Sequence, residues 1–130
     1  MEGEAKMMKA ILLVGLGGGV GSILRYLTSV VVAKYLQSVF PLATFLVNVL
    51  GCLIIGVLIG LFDRHQLVNP YLRFLFITGF CGGFTTFSAF AAENINLFNS
   101  GHSLTVFLYI GTSIFVSLFA VWLGMLLARM

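Results

Sequence analysis

Aspartate, glutamate, lysine and arginine are missing from three long stretches of this sequence, and those gaps constrain the fold more than any other feature. Between Lys34 and Asp63 lie 28 residues without one, between Arg73 and Glu93 lie 19, and between Glu93 and Arg129 lie 35. A helix that crosses a bilayer needs roughly 20 mostly apolar residues, so each gap holds about one crossing or more. The stretch from Lys9 to Lys34 is long enough as well, and only Arg25 interrupts it. Of the 130 residues, 60% are hydrophobic and 8% charged, against about 25% charged in an ordinary soluble domain. So few charges could not keep a compact soluble domain apart from its neighbours. The solvent for most of this surface is expected to be lipid.

The pattern predicts an all-α integral membrane protein with helices over about 8–36, 40–62, 70–99 and 102–128, behind an N-terminal tail of about nine residues. The whole of 1–130 reads as a single four-helix transmembrane domain. Pro41 and Pro70 suit helix starts, and Asn99-Ser100-Gly101-His102 reads as a short turn. The connection between the second and third helices is Asp63 to Pro70. Ala10–Ile23 has the apolar character of a signal-peptide core, but Arg25 follows it directly and no A-x-A-like site is present, so it is read as a mature helix. The net charge of +3 lies at helix ends and points to lipid headgroups rather than nucleic acid. Lys6, Lys9, Arg64, Arg73 and Arg129 fall on one side of a four-span topology and Lys34 on the other, which favours the N-terminus inside.

Glycine carries the next signal. Gly15/Gly19, Gly17/Gly21, Gly56/Gly60 and Gly79/Gly83 are pairs four apart, the spacing that lets helix backbones approach closely in lipid. The run Gly15–Ser22 is not a phosphate loop, since the Lys-Ser/Thr ending is missing. In Gly79-Phe80-Cys81-Gly82-Gly83-Phe84-Thr85-Thr86-Phe87-Ser88-Ala89-Phe90, two glycines followed by two threonines make poor helix. A break there would free backbone groups at membrane depth, where they are tolerated only inside protein or facing a wet cavity. Phe87 and Phe90 lie three apart and can share a helix face. Such a pair packs a core, or it turns ring edges, which carry partial positive charge, toward a small anion.

Polar groups inside the spans complete the pattern. Asn48 lies near the middle of the second helix with Thr44 one turn before it, and its amide offers two donors that lipid cannot satisfy. Tyr109, Ser113 and Ser117 form a hydroxyl stripe on the fourth helix. Arg25 is the charge placed deepest within a span, where ionisable groups are costly and tend to be functional. Glu93 falls late in the third helix. Cys52 and Cys81 lack neighbours at metal-ligand spacing and read as free thiols. His65 and His102 stand in loops without a nucleophile or carboxylate constellation, so no enzyme is expected.

Three segments together resemble the Fluc (CrcB-type) fluoride channels of bacteria: Gly18-Gly19-Val20-Gly21-Ser22-Ile23-Leu24-Arg25-Tyr26, then Thr44–Gly51, then Gly79–Phe90, in that order along nearly the whole chain. The resemblance implies a multi-pass protein of the bacterial inner membrane that passively exports fluoride and so lowers its cytoplasmic toxicity. It implies a homodimer of subunits inserted antiparallel, with two pores along their interface. It implies a third helix broken at the Gly-Gly-x-Thr-Thr element, where the carbonyls of Gly82 and Thr85 from both subunits hold a central sodium ion. Phe87 and Phe90 would line the pores and Asn48 would contact the ion. Arg25 would serve a vestibule, and Tyr109, Ser113 and Ser117 would form a polar track. Ser88 and Thr44 are added as further hydroxyls along the fluoride path. Ala89 departs from the Thr or Ser often found between the two phenylalanines, and the Lys/Arg bias exceeds what insertion in both directions would show. The alternative is a small dual-topology exporter of drug cations against protons, for which Glu93 is the one carboxylate within the spans.

Overall fold

A computed structural model describes residues 1–66 and 69–130. All regular structure among these residues is helical, and four helical stretches are long and apolar enough to cross a membrane: Glu2–Tyr35, Leu42–Arg64, Pro70–Asn99 and Ser103–Arg129. They are called here the first to fourth spans. Leu67 and Val68 of the predicted second connection lie outside the described residues.

The first span starts at Glu2, so the expected N-terminal tail is instead helix. Two local interactions account for it. Glu2 and Glu4 favour the positive end of a helix, and Lys6 pairs with Glu2 one turn away at 3.5 Å. Lys9 then lies 4.2 Å over the Tyr71 ring, which ties this end to the start of the third span. The second span begins after Pro41, and at its far end Arg64 donates to the Ala128 carbonyl at 3.2 Å. The third and fourth spans meet at a Schellman turn. Gly101 takes φ +82°, its N–H reaches the Phe98 carbonyl, and the His102 N–H reaches that of Leu97.

The third span is not one helix. Asn69 caps it by accepting from the Tyr71 N–H at 3.0 Å, with Pro70 in the first turn. From Phe74 to Cys81 the coil is wider than an α-helix, and the Gly82 N–H still reaches back five residues to Ile77. A last short turn, Gly82–Phe84, ends where Thr85 and Thr86 become extended (ψ 158° and 119°). The helix resumes at Phe87 and runs to Asn99, its first turn capped by the Thr86 hydroxyl accepting from the Ala89 N–H at 3.2 Å. The glycines of the element therefore stay helical, and the break falls on the two threonines.

Two tight helix pairs make the body. The first span packs along residues 74–84, and the second packs along the fourth. Both seams are made by missing side chains. A methyl on Gly17 would collide with the Leu75 carbonyl, and one on Gly83 with the Gly18 carbonyl. Across the other seam, a methyl on Gly56 would collide with the Val121 carbonyl and one on Gly124 with that of Leu53. Lipid gives helices no hydrophobic drive to associate, so contact this close supplies the dispersion energy that holds them. Gly15, Gly19 and Gly111 have nothing within 4 Å of where a methyl would stand.

Candidate ion pathway

The break in the third span sets the site. An α-helix that stops inside a membrane leaves carbonyls without partners. Here side chains of other spans claim some of them. Asn48, on the second span, accepts from the Thr86 N–H at 2.8 Å and donates to the Thr86 carbonyl at 3.0 Å. Its amide thus pairs with one residue on both sides, as a neighbouring strand would. The Cys81 carbonyl receives the Thr85 N–H at 3.0 Å and the Thr85 hydroxyl at 2.8 Å. The Gly83 carbonyl receives Arg25 Nε at 3.0 Å and the Ser22 hydroxyl at 3.4 Å. Gly51 makes room for this arrangement, because a methyl there would collide with the Thr85 methyl.

Beside the break lies a cavity of about 370 Å³, open on one side and walled by the second, third and fourth spans. It brings together five of the eight residues expected along the fluoride path: Asn48, Phe87, Phe90, Ser113 and Ser117. Thr85, Thr86, Cys52, Ile114 and Leu118 complete the wall. The two phenylalanine rings stand with centroids 5.7 Å apart. Phe90 is held edge-on against Tyr109 at 4.9 Å, whereas Phe87 is 78% exposed. Ser113 is 8% exposed, and its hydroxyl has no hydrogen-bond partner among the described residues.

The remaining candidates lie elsewhere. Tyr109 is fully buried between Phe40 and Phe90, and its hydroxyl points to Glu93 Oε1 at 3.4 Å. The Thr44 hydroxyl donates to the other carboxylate oxygen of Glu93 at 3.0 Å. These three form a polar cluster next to the main cavity. Ser88 is exposed, with its hydroxyl 3.2 Å from that of Thr86. Arg25 and Thr44 border a separate cavity of about 250 Å³ that Thr86 also touches. Glu93 in turn borders a third, of about 260 Å³, with Asn96 and His102. Among the described residues, no hydrogen bond reaches the carbonyls of Gly82 or Thr85.

Sequence reasoning passed over Thr86, whose N–H, carbonyl and hydroxyl are all engaged in shaping the break. Its signal was the threonine directly before a helix start, the place of an N-cap. The partners of Glu93 are not legible in the sequence, because Thr44 and Tyr109 lie 49 and 16 residues away.

Comparison with known proteins sets this geometry among relatives. The sequence profile described as "CrcB-like protein, Camphor Resistance (CrcB)" matches residues 12–125. A Flavobacterium psychrophilum protein named fluoride-specific ion channel FluC is 52% identical over 122 residues, which cover 94% of this chain and 98% of that one. Proteins of the same name from Azobacteroides pseudotrichonymphae and Methylobacillus flagellatus are 47% and 45% identical, over 95% of this chain and 98% and 97% of theirs.

Proposed function

We infer that this chain, which belongs to the CrcB-like family, is a fluoride-selective ion channel that passes the anion down its electrochemical gradient. Relatives at 45–52% identity bear that name across nearly their whole length. The observation in this molecule that carries the reading is the unpartnered Ser113 hydroxyl, buried in the wall of a cavity that two phenylalanine rings also line. A buried donor without an acceptor is costly, and an anion in the cavity would supply the acceptor.

The proposed mechanism rests on many weak contacts. Fluoride sheds part of its water to the Ser113 and Ser117 hydroxyls and to the second N–H of Asn48. It then passes the edges of Phe87 and Phe90, whose partial positive charge attracts the anion without holding it. Conduction needs binding weak enough to let the ion leave, and among the described residues no full positive charge lines this cavity. Ser88 extends the path beyond Phe87, and the Thr44–Tyr109–Glu93 cluster continues the hydroxyl track beyond Phe90. A vestibule at Arg25 would gather the anion from water.

Assembly completes the proposal. Two copies inserted antiparallel would close the open side of each cavity and cover Phe87, giving two pores in a multi-pass protein of the bacterial inner membrane. The free carbonyls of Gly82 and Thr85 fit a hard cation, since unwound carbonyls at half-helix ends coordinate sodium in membrane proteins. A sodium ion there, shared by two copies, would lend its charge to the junction and hold the two breaks together. Lower cytoplasmic fluoride would follow from passive export.

Efflux from liposomes containing the purified protein, read with a fluoride electrode and repeated with chloride, tests the reading. Rapid fluoride release without chloride release is the expected result. Well-folded protein that releases neither ion overturns it.

A further inference from the structure

We propose that Arg25 is a positioning residue that fixes the break of the third span through the Gly83 carbonyl. This rests on the channel reading above for its consequence, though not for its geometry.

The geometry begins on the first span. Gly18, Ser22 and Arg25 follow one another at steps of four and three, so they share a helix face. Gly18 meets the third span at Gly83, since a methyl on Gly83 would collide with the Gly18 carbonyl and stand 2.9 Å from the Gly18 Cα. From that contact the next two members of the stripe both reach the same atom. The Ser22 hydroxyl lies 3.4 Å and Arg25 Nε 3.0 Å from the Gly83 carbonyl oxygen. Arg25 is half-buried, and its guanidinium sits at the C-terminal end of the helical segment that stops at Phe84. A cation at that end opposes the partial negative charge of the helix terminus.

The consequence is a division of labour among the freed carbonyls. Cys81 is satisfied by Thr85, Gly83 by Arg25 and Ser22, and Thr86 by Asn48. Among the described residues, the carbonyls of Gly82, Phe84 and Thr85 are left. Arg25 from the first span and Asn48 from the second therefore clamp the break on either side of Thr85, and the clamp decides which oxygens stay open. An arginine whose task is to attract anions acts through long-range charge. An arginine that holds one carbonyl acts through a hydrogen bond, and salt separates the two.

The test uses full-length Arg25→Ala, Arg25→Lys and Ser22→Ala proteins in liposomes, with amide hydrogen exchange at Thr85 and Thr86 measured alongside fluoride efflux. Arg25→Ala is expected to exchange about tenfold faster at both amides, a change of ~1.4 kcal/mol in local opening. Its efflux should stay reduced at high ionic strength, where any pull of a vestibule charge on the anion is screened. Arg25→Lys keeps a charged donor and should recover most of both quantities. Unaltered exchange in Arg25→Ala overturns the proposal, as does an efflux defect that high salt abolishes. Should Arg25→Ala fail to fold, Ser22→Ala decides, since it removes the weaker donor to the same carbonyl. Faster exchange at Thr85 and Thr86 then supports the clamp and unchanged exchange refutes it. Exchange is read without any ion flux, so a wild-type protein that passes no fluoride refutes the channel reading and leaves the clamp to be judged by itself.

Discussion

Ser113 and Asn94 each bury a side-chain atom without a hydrogen-bond partner among the described residues, and of the two only Ser113 borders the main cavity. That separates stability from conduction at a single residue. Ser113→Ala removes a buried hydroxyl that makes no bond among the described residues, so unfolding stability should stay equal or rise by up to ~1 kcal/mol. Fluoride efflux should drop, because the permeating ion loses a donor. Thermal unfolding in detergent and electrode-recorded efflux check the two halves, and an alanine protein with full flux removes Ser113 from the path. The phenylalanines call for the opposite pattern of controls. Phe87→Ile and Phe90→Ile keep bulk and lose the ring edge, so flux should fall by about tenfold or more while the protein stays assembled by size-exclusion chromatography. Normal flux in both would end the pore assignment. Much of this grouping was legible in the sequence, since Asn48 is an amide that lipid cannot satisfy and Phe87 and Phe90 can share a helix face. The stripe does not keep to one wall. Residues four apart drift about 40° around a helix at each step. Tyr109 thus turns toward Glu93 while Ser113 and Ser117 turn toward the cavity.

At the scale of the element, the third span could be read as interrupted but not in its true form. Two glycines before two threonines signal weak helix, yet Gly82 and Gly83 remain helical, and Gly83 meets the first span. The threonines become extended because Asn48 offers Thr86 both a donor and an acceptor. No local pattern encodes a partner 38 residues away. The wider coil over Phe74–Cys81 has no residue-level signature either, as its residues would suit an ordinary apolar helix. The glycine spacing was more informative, and it divides into two classes that predict different outcomes. Gly17→Ala and Gly124→Ala place a methyl against backbone of the neighbouring span. Each should lower thermal stability by ~1–3 kcal/mol or prevent folding. Gly15→Ala and Gly111→Ala meet nothing within 4 Å and should leave stability unchanged or raise it by up to ~1 kcal/mol, since alanine is the better helix former. Unfolding midpoints for the four proteins in one detergent would settle it. Equal behaviour across both classes would mean that these seams do not hold the fold.

At the scale of the whole molecule, a single chain leaves three things open: Phe87 at 78% exposure, one side of the main cavity, and the carbonyls of Gly82 and Thr85. Bare carbonyls at membrane depth are tolerated only when protein or a wet cavity faces them. A second copy related by a two-fold axis in the membrane plane would bring a matching pair of carbonyls against the first, which is how inverted repeats build ion sites at the midplane. A two-fold axis along the membrane normal would also pair the breaks, but the two cavities would then open toward the same face. The charge pattern alone argues for one orientation, since Lys6, Lys9, Arg64, Arg73 and Arg129 share a side. The two arguments give different expectations for a tag placed after Met130. Antiparallel assembly predicts that intact cells expose about half of the tags to an impermeant reagent, whereas the charge rule predicts that nearly all are shielded. We expect the former, because insertion bias acts on each chain as it enters the membrane, while an antiparallel assembly would retain only pairs of opposite orientation. Labelling in intact and lysed cells, compared at low expression, measures the fraction directly. Full shielding together with undiminished fluoride efflux would mean a parallel assembly, with both cavities opening toward the same face.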